Sequence, residues 1–341
     1  MSAFLDACYG RKTQFTPVWF MRQAGRYLPG YRELRKQHNI VELIRDPTLA
    51  VEVTTEPILL AGFDAAIVFS DIVLPLQSMG VNVRLEEGVG PVFASPIDAS
   101  GVETLSAGRP SDDLWFVPEQ IRLFRAKNNL PIIGFSGAPF TLAAYMIEGG
   151  YRRGFEKTKA FIYLHWKEWD KLMRLLVQNI SEYLNSQIKA GAGAVQLFDS
   201  WVGSLSPYDY ERYVRPYNDI LTQEVVGVPR IYFGTEMGGM IKSLSHSGFE
   251  VISLDWRTEL PDGWSMLGRQ KSIQGNLDPA ALLGGKDYAV KETKRILDSV
   301  ECSNGHIFNL GHGVLPSTDP SVVKEVVRFV HEYSRERRIK G

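Results

Sequence analysis

The sequence contains little cysteine: of its 341 residues only Cys8 and Cys302 carry a thiol. Two cysteines in so long a chain indicate reduced thiols with packing roles rather than a disulfide framework. The chain also lacks an uninterrupted apolar stretch long enough to cross a bilayer, and its first residues lack the basic region and apolar run of a signal peptide. We therefore expect a cytoplasmic protein that does not associate with a membrane.

An excess of charge of either sign is also absent. Lys and Arg number 38 against 39 Asp and Glu, which leaves a formal net charge of -1. A chain so balanced has no general attraction for nucleic acid or for an anionic membrane surface, so we predict neither as a partner. The hydrophobic fraction of 44% is sufficient for a large buried core.

One local exception to this balance is the stretch VWFMRQAGRYLPGYRELRK, residues 18–36, which has five cationic residues and one acidic residue. Its four arginines would repel one another unless anions lay between them. Guanidinium groups match the geometry of carboxylate or phosphate, so the segment predicts an anion-binding loop. A solvated surface loop is the simpler alternative.

Eight short apolar runs, rich in β-branched and aromatic residues, alternate with segments long enough for helices. They are residues 17–21, 65–69, 131–135, 193–198, 229–233, 251–255, 271–275 and 306–310. Such uniformly apolar strands are typical of a parallel sheet covered on its faces, and eight units are the number that closes a (β/α)8 barrel. The sequence thus predicts one domain over residues 1–341, a single (β/α)8 TIM barrel.

Two segments have room for insertions in this barrel. We predict an extended arginine-rich loop after strand 1 and, in VNVRLEEGVGPVF (residues 81–93), a hairpin insertion after strand 2. A doubly wound open sheet is the alternative fold. The sequence lacks the G-x-G-x-x-G fingerprint of such nucleotide-binding sheets, which weakens that alternative.

Barrel active sites lie at the carboxyl ends of the strands, so polar residues there are candidates for function. In chain order these are Arg22, Ser70, Asp71, Gly137, Asp199, Ser200, Gly234, Asp255, Gly275, Asn276, Gly311 and His312. Every strand must end near polar residues, which explains each of them singly. The arginine cluster is not explained in that way.

Six blocks of the sequence, in order from Pro17 to about Pro320, together resemble the uroporphyrinogen decarboxylase family. They are PVWFMRQAGRYLPGYRELR, VFSDI, GFSGAPFTLAAYMIEGG, QLFDSWVG, QGNLDP and FNLGHGVLP. The resemblance implies a (β/α)8 barrel that forms a homodimer and needs no cofactor or metal. It also implies removal of carbon dioxide from the four acetate side chains of uroporphyrinogen III, which gives coproporphyrinogen III in haem biosynthesis.

The resemblance also assigns catalytic roles to Asp71, Arg22, Tyr145 and His312. The aspartate matching Asp71 accepts hydrogen bonds from the inward pyrrole N–H groups, where a negative charge would offset a developing positive one. Arg22 has been considered as a proton donor, but its high pKa makes orientation of substrate carboxylates the better expectation. His312 is expected to be the only member of the set that titrates near neutral pH.

The predicted substrate-binding residues include these four and several more, some by resemblance and some because an octacarboxylate needs a cationic rim and an apolar floor. The full set is Arg22, Gln23, Ala24, Arg26, Arg35, Phe69, Asp71, Phe135, Tyr145, Ser200 and His312. Gln23 and Ala24 are expected to contribute backbone contacts. Further candidates for the apolar floor are Phe20, Tyr27 and Phe140, for which ordinary core packing is the alternative.

Two other functions are compatible with parts of the sequence. Cobamide-dependent methyltransferases share the fold and bind zinc, and Cys302 and His306 have a Cys-x3-His spacing, but Cys8 is the only other thiol. A tetrapyrrole carrier without catalysis is the second alternative. The presence of Asp71, Tyr145 and Ser200 together with the arginine signature favours the enzyme.

Overall fold

The computed structural model describes residues 2–86 and 89–340, which form an α/β fold. In chain order its strands are β1 (Ala66–Ile67), β2 (Val83–Glu86), β3 (Gly90–Phe93), β4 (Ile132–Gly137), β5 (Ala194–Asp199), β6 (Arg230–Gly234), β7 (Val251–Ser253), β8 (Ser272–Leu277) and β9 (His306–Leu310).

The helices alternate with these strands along the chain. They are α1 (Ala3–Cys8), α2 (Pro29–Gln37), α3 (Ile40–Arg45), α4 (Pro47–Ala61), α5 (Ala99–Thr104), α6 (Pro110–Asp113), α7 (Phe116–Lys127), α8 (Pro139–Glu148), α9 (Glu156–Leu164), α10 (Trp166–Lys189), α11 (Pro207–Tyr213), α12 (Arg215–Glu224), α13 (Ile241–Leu244), α14 (Leu260–Leu267), α15 (Gly285–Ser299) and α16 (Pro320–Lys340). Short 3-10 turns lie at Leu74–Gln77, Val202–Ser204, Gly238–Met240 and Pro279–Gly284.

Seven strands of the described residues pair into one parallel sheet, in the order β1-β4-β5-β6-β7-β8-β9. Every residue of β4, β8 and β9 is buried, as expected for a parallel sheet whose two faces are both covered. Helix α10 packs against β4 and β5, and α15 packs against β8. The seven strands of this sheet all point the same way, so their carboxyl ends share one face of the molecule.

The first predicted strand, residues 17–21, does not form a ladder: Val18 makes only an isolated parallel bridge to Phe308 of β9. On its other side, the Val18 N–H donates to the Asp64 carboxylate at 2.7 Å, and the Asp64 N–H donates to the Val18 carbonyl at 2.9 Å. Asp64 lies two residues before β1, so this one segment contacts both ends of the seven-stranded sheet. The sheet is therefore strongly curled.

The predicted hairpin region contains an antiparallel pair. Strands β2 and β3 pair with Val83 opposite Phe93, and they form a separate two-stranded sheet. Glu87 and Gly88, at the predicted turn, lie outside the described residues.

The last helix, α16, follows from its sequence pattern. The Asp319 carboxylate accepts the Ser321 N–H at 2.7 Å, and Pro320 occupies the first turn, where its missing N–H costs nothing. The apolar residues at helical spacing are buried on one face, as amphipathic packing requires: Val322, Val323, Val326, Val327 and Val330.

Candidate active site

A cavity of about 220 Å³ lies at the carboxyl ends of the parallel strands. Its wall combines aromatic rings with a few polar side chains, which is typical of small-molecule sites. The lining residues are Met21, Arg22, Ala24, Ile67, Val68, Phe69, Ser70, Asp71, Ile72, Phe135, Tyr145, Phe198, Ser200, Trp201, Phe233, His312 and Gly313. We call this space the central cavity.

A second space of about 420 Å³ adjoins the central cavity and shares Arg22, Ala24, Phe69, Ser70 and Asp71 with it. We call it the outer pocket. Its other walls come from the segment before α2, from α2 itself, from the start of α3, from the β2–β3 pair and from the segment after β9. These residues are Gly25, Arg26, Tyr31, Arg35, Ile40, Leu85, Glu86, Val89, Gly90, Val314 and Pro316.

The basic cluster of the first segment is divided between these spaces and the surface. Arg22, Arg26 and Arg35 line the outer pocket, and Arg22 also lines the central cavity. Arg32 instead donates to the backbone carbonyl of Tyr27 at 2.9 Å, and Lys36 pairs with Glu33 on the surface. Three of the five cations therefore face the space where an anionic ligand would lie.

Arg22 has an unusual backbone conformation. Its φ is 58°, in the left-handed region that non-glycine residues seldom adopt. The residue before it is fixed on both sides, because Met21 N–H donates to Asn309 Oδ1 at 3.1 Å and Met21 O accepts the Val314 N–H at 2.9 Å. A Cβ atom at Gly313 would collide with the Arg22 side chain. The glycine therefore makes room for this arginine.

Asp71 follows β1 and brings a carboxylate to the wall of both spaces. Its Oδ1 accepts the Val73 N–H at 3.0 Å, so part of its role is to cap the turn that follows. Burial raises the pKa of Asp71 above its ordinary value, and the Val73 hydrogen bond and the charge of Arg22 oppose that rise. The carboxylate is thus poorly solvated and would gain from a cation or from N–H donors.

Tyr145 comes from the second turn of α8, and its buried side chain lines the central cavity. Burial is the main cause of its raised pKa, about 12, with the charge of Asp71 adding to the rise and that of Arg22 opposing it. Its ring stacks on Phe93 of β3 at 6.2 Å and meets Trp201 edge-on at 5.9 Å. The phenol therefore stays protonated and can act as a hydrogen-bond donor.

The expectation that His312 titrates near neutral pH is wrong. Burial, reinforced by the positive charge of Arg22, lowers the pKa of this imidazole to about 4. Asp255 opposes the shift but does not reverse it. The ring, which packs edge-on against Phe233 at 6.0 Å, is consequently neutral at physiological pH.

The structure brings most of the predicted binding residues together. Ala24, Phe69, Phe135 and Ser200 line the central cavity with the four predicted catalytic residues. Gln23 lines neither space: its side chain accepts the Phe20 N–H at 3.2 Å and donates to the Ala65 carbonyl at 3.1 Å. That side chain holds the first segment against the sheet.

The predicted aromatic floor is only partly in the cavity. Phe20, Tyr27 and Phe140 are fully buried and pack in the core, the alternative that the sequence left open. Three aromatic residues that sequence reasoning did not select line the cavity instead: Phe198, Trp201 and Phe233. Two sequence signals could have made them candidates for the cavity wall. Phe198 and Trp201 lie in the QLFDSWVG block, and Phe233 lies next to the end of β6.

The described residues contain no group of three or more His, Cys, Asp and Glu side chains that could hold a metal ion. His306 Nε2 lies 3.0 Å from the Gly275 carbonyl, and Cys302 and Cys8 are free, buried thiols. Within residues 2–86 and 89–340, no helix is both long and apolar enough to cross a membrane.

Comparison with known proteins gives a consistent result. The family model described as uroporphyrinogen decarboxylase (URO-D) matches residues 1–333. The uroporphyrinogen decarboxylase of Roseiflexus sp. (strain RS-1) is 44% identical over 345 residues, covering 98% of this chain and 99% of the relative. That of Thermus thermophilus is 45% identical over 331 residues, covering 96% and 97% respectively.

Solved structures show the same fold at lower sequence identity. A methyltransferase from Methanosarcina mazei has a TM-score of 0.81 at 20% identity, covering 97% of this chain and 98% of the other. A B12-independent methionine synthase from Shewanella sp. W3-18-1 has a TM-score of 0.61 at 13% identity, covering 88% and 91%. At such identities the similarity concerns the fold alone.

Proposed function

The chain belongs to the uroporphyrinogen decarboxylase family, an enzyme family of porphyrin biosynthesis, and on this premise we propose that the central cavity and the outer pocket together form its active site. There it removes the four acetate carboxyl groups of uroporphyrinogen III and leaves methyl groups, giving coproporphyrinogen III. The observation that carries the proposal is a poorly solvated Asp71 carboxylate in an aromatic cavity with arginines at its mouth.

The reaction needs an electron sink, because loss of carbon dioxide from a simple acetate would leave an unstabilised carbanion. A pyrrole can serve as its own sink. Protonation of the ring carbon that lies between the nitrogen and the acetate-bearing carbon gives a cationic, imine-like ring. The electrons of the breaking carbon–carbon bond then flow into that ring and form an exocyclic C=CH2 double bond. A second proton is added to the exocyclic methylene carbon, which becomes the methyl group, and the ring carbon then releases the first proton, which restores the aromatic pyrrole. No separate cofactor is required by this route.

The residues have distinct parts in this proposal. Asp71 accepts the pyrrole N–H groups and stabilises the cationic ring, because its charge interacts more strongly with the cation than with the neutral substrate. Arg22, Arg26 and Arg35 orient the substrate carboxylates from the outer pocket.

The remaining polar residues of the proposal are neutral. Tyr145, Ser200 and His312 supply hydrogen bonds to acetate or propionate groups without adding charge, and Ala24, Phe69 and Phe135 contact the macrocycle. Gln23, which lines neither space, contributes by holding the first segment against the sheet. The raised pKa of Tyr145 and the lowered pKa of His312 support these neutral roles.

The proposal extends to the architecture. We infer one domain over residues 1–341, in which residues 17–21 occupy the eighth position of a (β/α)8 barrel. Hydrogen bonds from Phe308 N–H to Pro17 O at 2.8 Å and from Val18 N–H to Asp64 support this closure. A cytoplasmic homodimer is part of the same proposal and rests on the family resemblance.

Anaerobic incubation with chemically reduced uroporphyrinogen III tests the function. Products resolved by carboxylate number should form a ladder from eight carboxylates to four, and exhaustive chelation of metals should leave the rate unchanged. Binding without release of carbon dioxide would indicate the carrier function instead. Loss of activity on chelation, restored by one specific metal, would contradict the substrate-as-sink mechanism.

A further inference from the structure

The peptide group between Ser200 and Trp201 is bound at both of its polar atoms by threonine hydroxyls. Its carbonyl, which belongs to Ser200, accepts the Thr235 Oγ1–H from the loop after β6. Its N–H, which belongs to Trp201, donates to Thr141 Oγ1 of α8 at 3.2 Å. Ser200 and Trp201 both line the central cavity, so this peptide carries two adjacent side chains into the site.

Thr141 is itself fixed by a buried carboxylate. Its hydroxyl donates to Asp199 Oδ1 at 2.8 Å, and the Tyr232 hydroxyl donates to Asp199 Oδ2 at 2.6 Å. All three side chains are completely buried. Because the single hydroxyl proton of Thr141 is given to Asp199, the free lone pairs of its oxygen are left for the Trp201 N–H.

Helix α8 links this arrangement to the site. Thr141 and Tyr145 are four residues apart and share one face of the helix, and the Trp201 ring meets Tyr145 edge-on. The Trp201 Nε1–H is buried and completes no hydrogen bond of normal geometry with a described residue, but it lies close enough to the Tyr145 hydroxyl to oppose the rise in the pKa of that phenol. One helix therefore places Tyr145 in the cavity and fixes the backbone that places Trp201 beside it.

We propose that Thr141 and Thr235 are positioning residues that clamp the Ser200–Trp201 peptide. The clamp directs the Ser200 hydroxyl to the cavity and holds the Trp201 indole N–H against the Tyr145 hydroxyl, so that the two hydroxyls present neutral donors to one substrate carboxylate. The inference deepens the proposed function and rests on it. A donor pair without charge suits an acetate that must lose carbon dioxide, because a cation there would stabilise the carboxylate in the ground state.

The first test compares Thr141→Val, Thr141→Ser and Tyr232→Phe by steady-state kinetics with uroporphyrinogen III. Thr141→Val keeps the shape but removes the hydroxyl, so KM should rise about tenfold while kcat falls less than about threefold. Thr141→Ser keeps the hydroxyl and should stay within about threefold of the parent in KM.

Tyr232→Phe is the matched control, because it removes the other hydroxyl donor to Asp199 but leaves the clamp intact. It should lower the thermal midpoint of unfolding, as Thr141→Val does, yet leave KM within about threefold of the parent. An equal rise of KM in Tyr232→Phe and Thr141→Val would overturn the inference, since loss of a donor to Asp199 would then explain both.

The second test is a double-mutant cycle with Ser200→Ala. In that background Thr141→Val should raise KM by only about threefold, because one of the two side chains it positions is gone. An undiminished tenfold effect would overturn the inference. Thr235→Val should behave like Thr141→Val, and normal kinetics in that variant would contradict its part in the clamp.

Failure of the inference can be told apart from failure of the proposed function. If the parent protein produces the ladder from eight to four carboxylates and Thr141→Val has the parent's KM, only the clamp is refuted. If the parent releases no carbon dioxide, the proposed function fails and the clamp fails with it.

Discussion

At the scale of single residues, burial in the central cavity shifts the pKa values of three ionisable side chains, Asp71, Tyr145 and His312, towards their neutral forms. Burial raises the pKa of Asp71 and of Tyr145 and lowers that of His312. The charge of Arg22 opposes the shift at Asp71 and reinforces it at His312. A positive charge that develops on a bound pyrrole would therefore find one poorly solvated carboxylate and no competing imidazolium.

His312 should remain neutral well below pH 7. Its pKa in the folded protein is about 4, against an ordinary value near 6.5, so the unfolded chain binds a proton that the native state does not. This residue's contribution to stability is complete above about pH 6.5 and decreases as the pH falls towards 4. NMR of the histidine ring protons, assigned with His312→Gln, should show no His312 titration between about pH 8 and 5.5. A midpoint between pH 6 and 7 would contradict this environment.

Arg26 is exposed at the outer pocket, where we expect it to bind a substrate carboxylate. Arg26→Ala should weaken substrate affinity by about 1.5 to 3 kcal/mol, the usual range for a hydrogen bond to a charged group. Arg26→Lys should recover only part of this, because a point charge cannot reproduce the guanidinium fork. Lys36→Ala removes the same charge outside both spaces and should bind the substrate normally. Full affinity in Arg26→Lys would mean that charge alone matters.

At the scale of elements, the regular parts of the fold could be predicted and the irregular ones could not. The valine stripe of α16 has the helical period, whereas the apolar runs of β4 to β9 are indicated as strands by their short length and their β-branched and aromatic residues. Residues 17–21 look like a strand, but one of their partners is the side chain of Asp64, and an apolar pattern carries no information about such a partner. The residues of the site were subject to the same limit, because a sequence pattern does not reveal their contacts with distant segments.

Motif blocks identified Arg22, Asp71 and Tyr145, all of which line the central cavity. Whether an aromatic residue lines a cavity or fills the core depends on a few ångströms of position, so the place of Phe233 near a strand end makes it a candidate but does not by itself separate it from Phe140. The lowered pKa of His312 was equally out of reach, because it depends on burial created by distant segments.

The end of α16 holds the amino-terminal segment through one side chain, Arg338. Its guanidinium donates to the carbonyl of Cys302 at 2.8 Å, to that of Thr13 at 2.7 Å and to that of Ser303 at 3.1 Å. Arg338→Ala leaves partly buried carbonyls without donors and should lower the free energy of unfolding by about 2 to 3 kcal/mol in urea titration. Arg337→Ala, one residue earlier and exposed, should change it by less than about 0.5 kcal/mol. Equal effects of the two substitutions would contradict this role.

At the scale of the whole molecule, the residues of the site come from distant parts of one chain, from Met21 to Gly313. They converge because parallel strands place their carboxyl ends on the same face. The described residues that line the central cavity all belong to one chain, so we expect each subunit of the proposed homodimer to hold a complete site.

A mixing experiment tests this completeness. Asp71→Asn and Arg22→Ala variants, each impaired, are mixed under conditions in which subunits exchange. Because both residues line the same cavity of one chain, a mixed dimer contains no intact site, and activity should stay at the mean of the two variants. Recovery of a substantial fraction of the parent activity would show that the site is shared between subunits.

The most direct test of the mechanism is the single-turnover rate of Asp71→Asn. Asparagine keeps the size of the side chain and an oxygen that can still accept the Val73 N–H, so the turn it caps should survive. The change removes only the charge, and the rate should fall by about 100- to 1,000-fold with a much smaller change in substrate affinity. Asp71→Glu keeps the charge but displaces it and should be intermediate. A rate for Asp71→Asn within about threefold of the parent would contradict stabilisation of a pyrrole cation by Asp71.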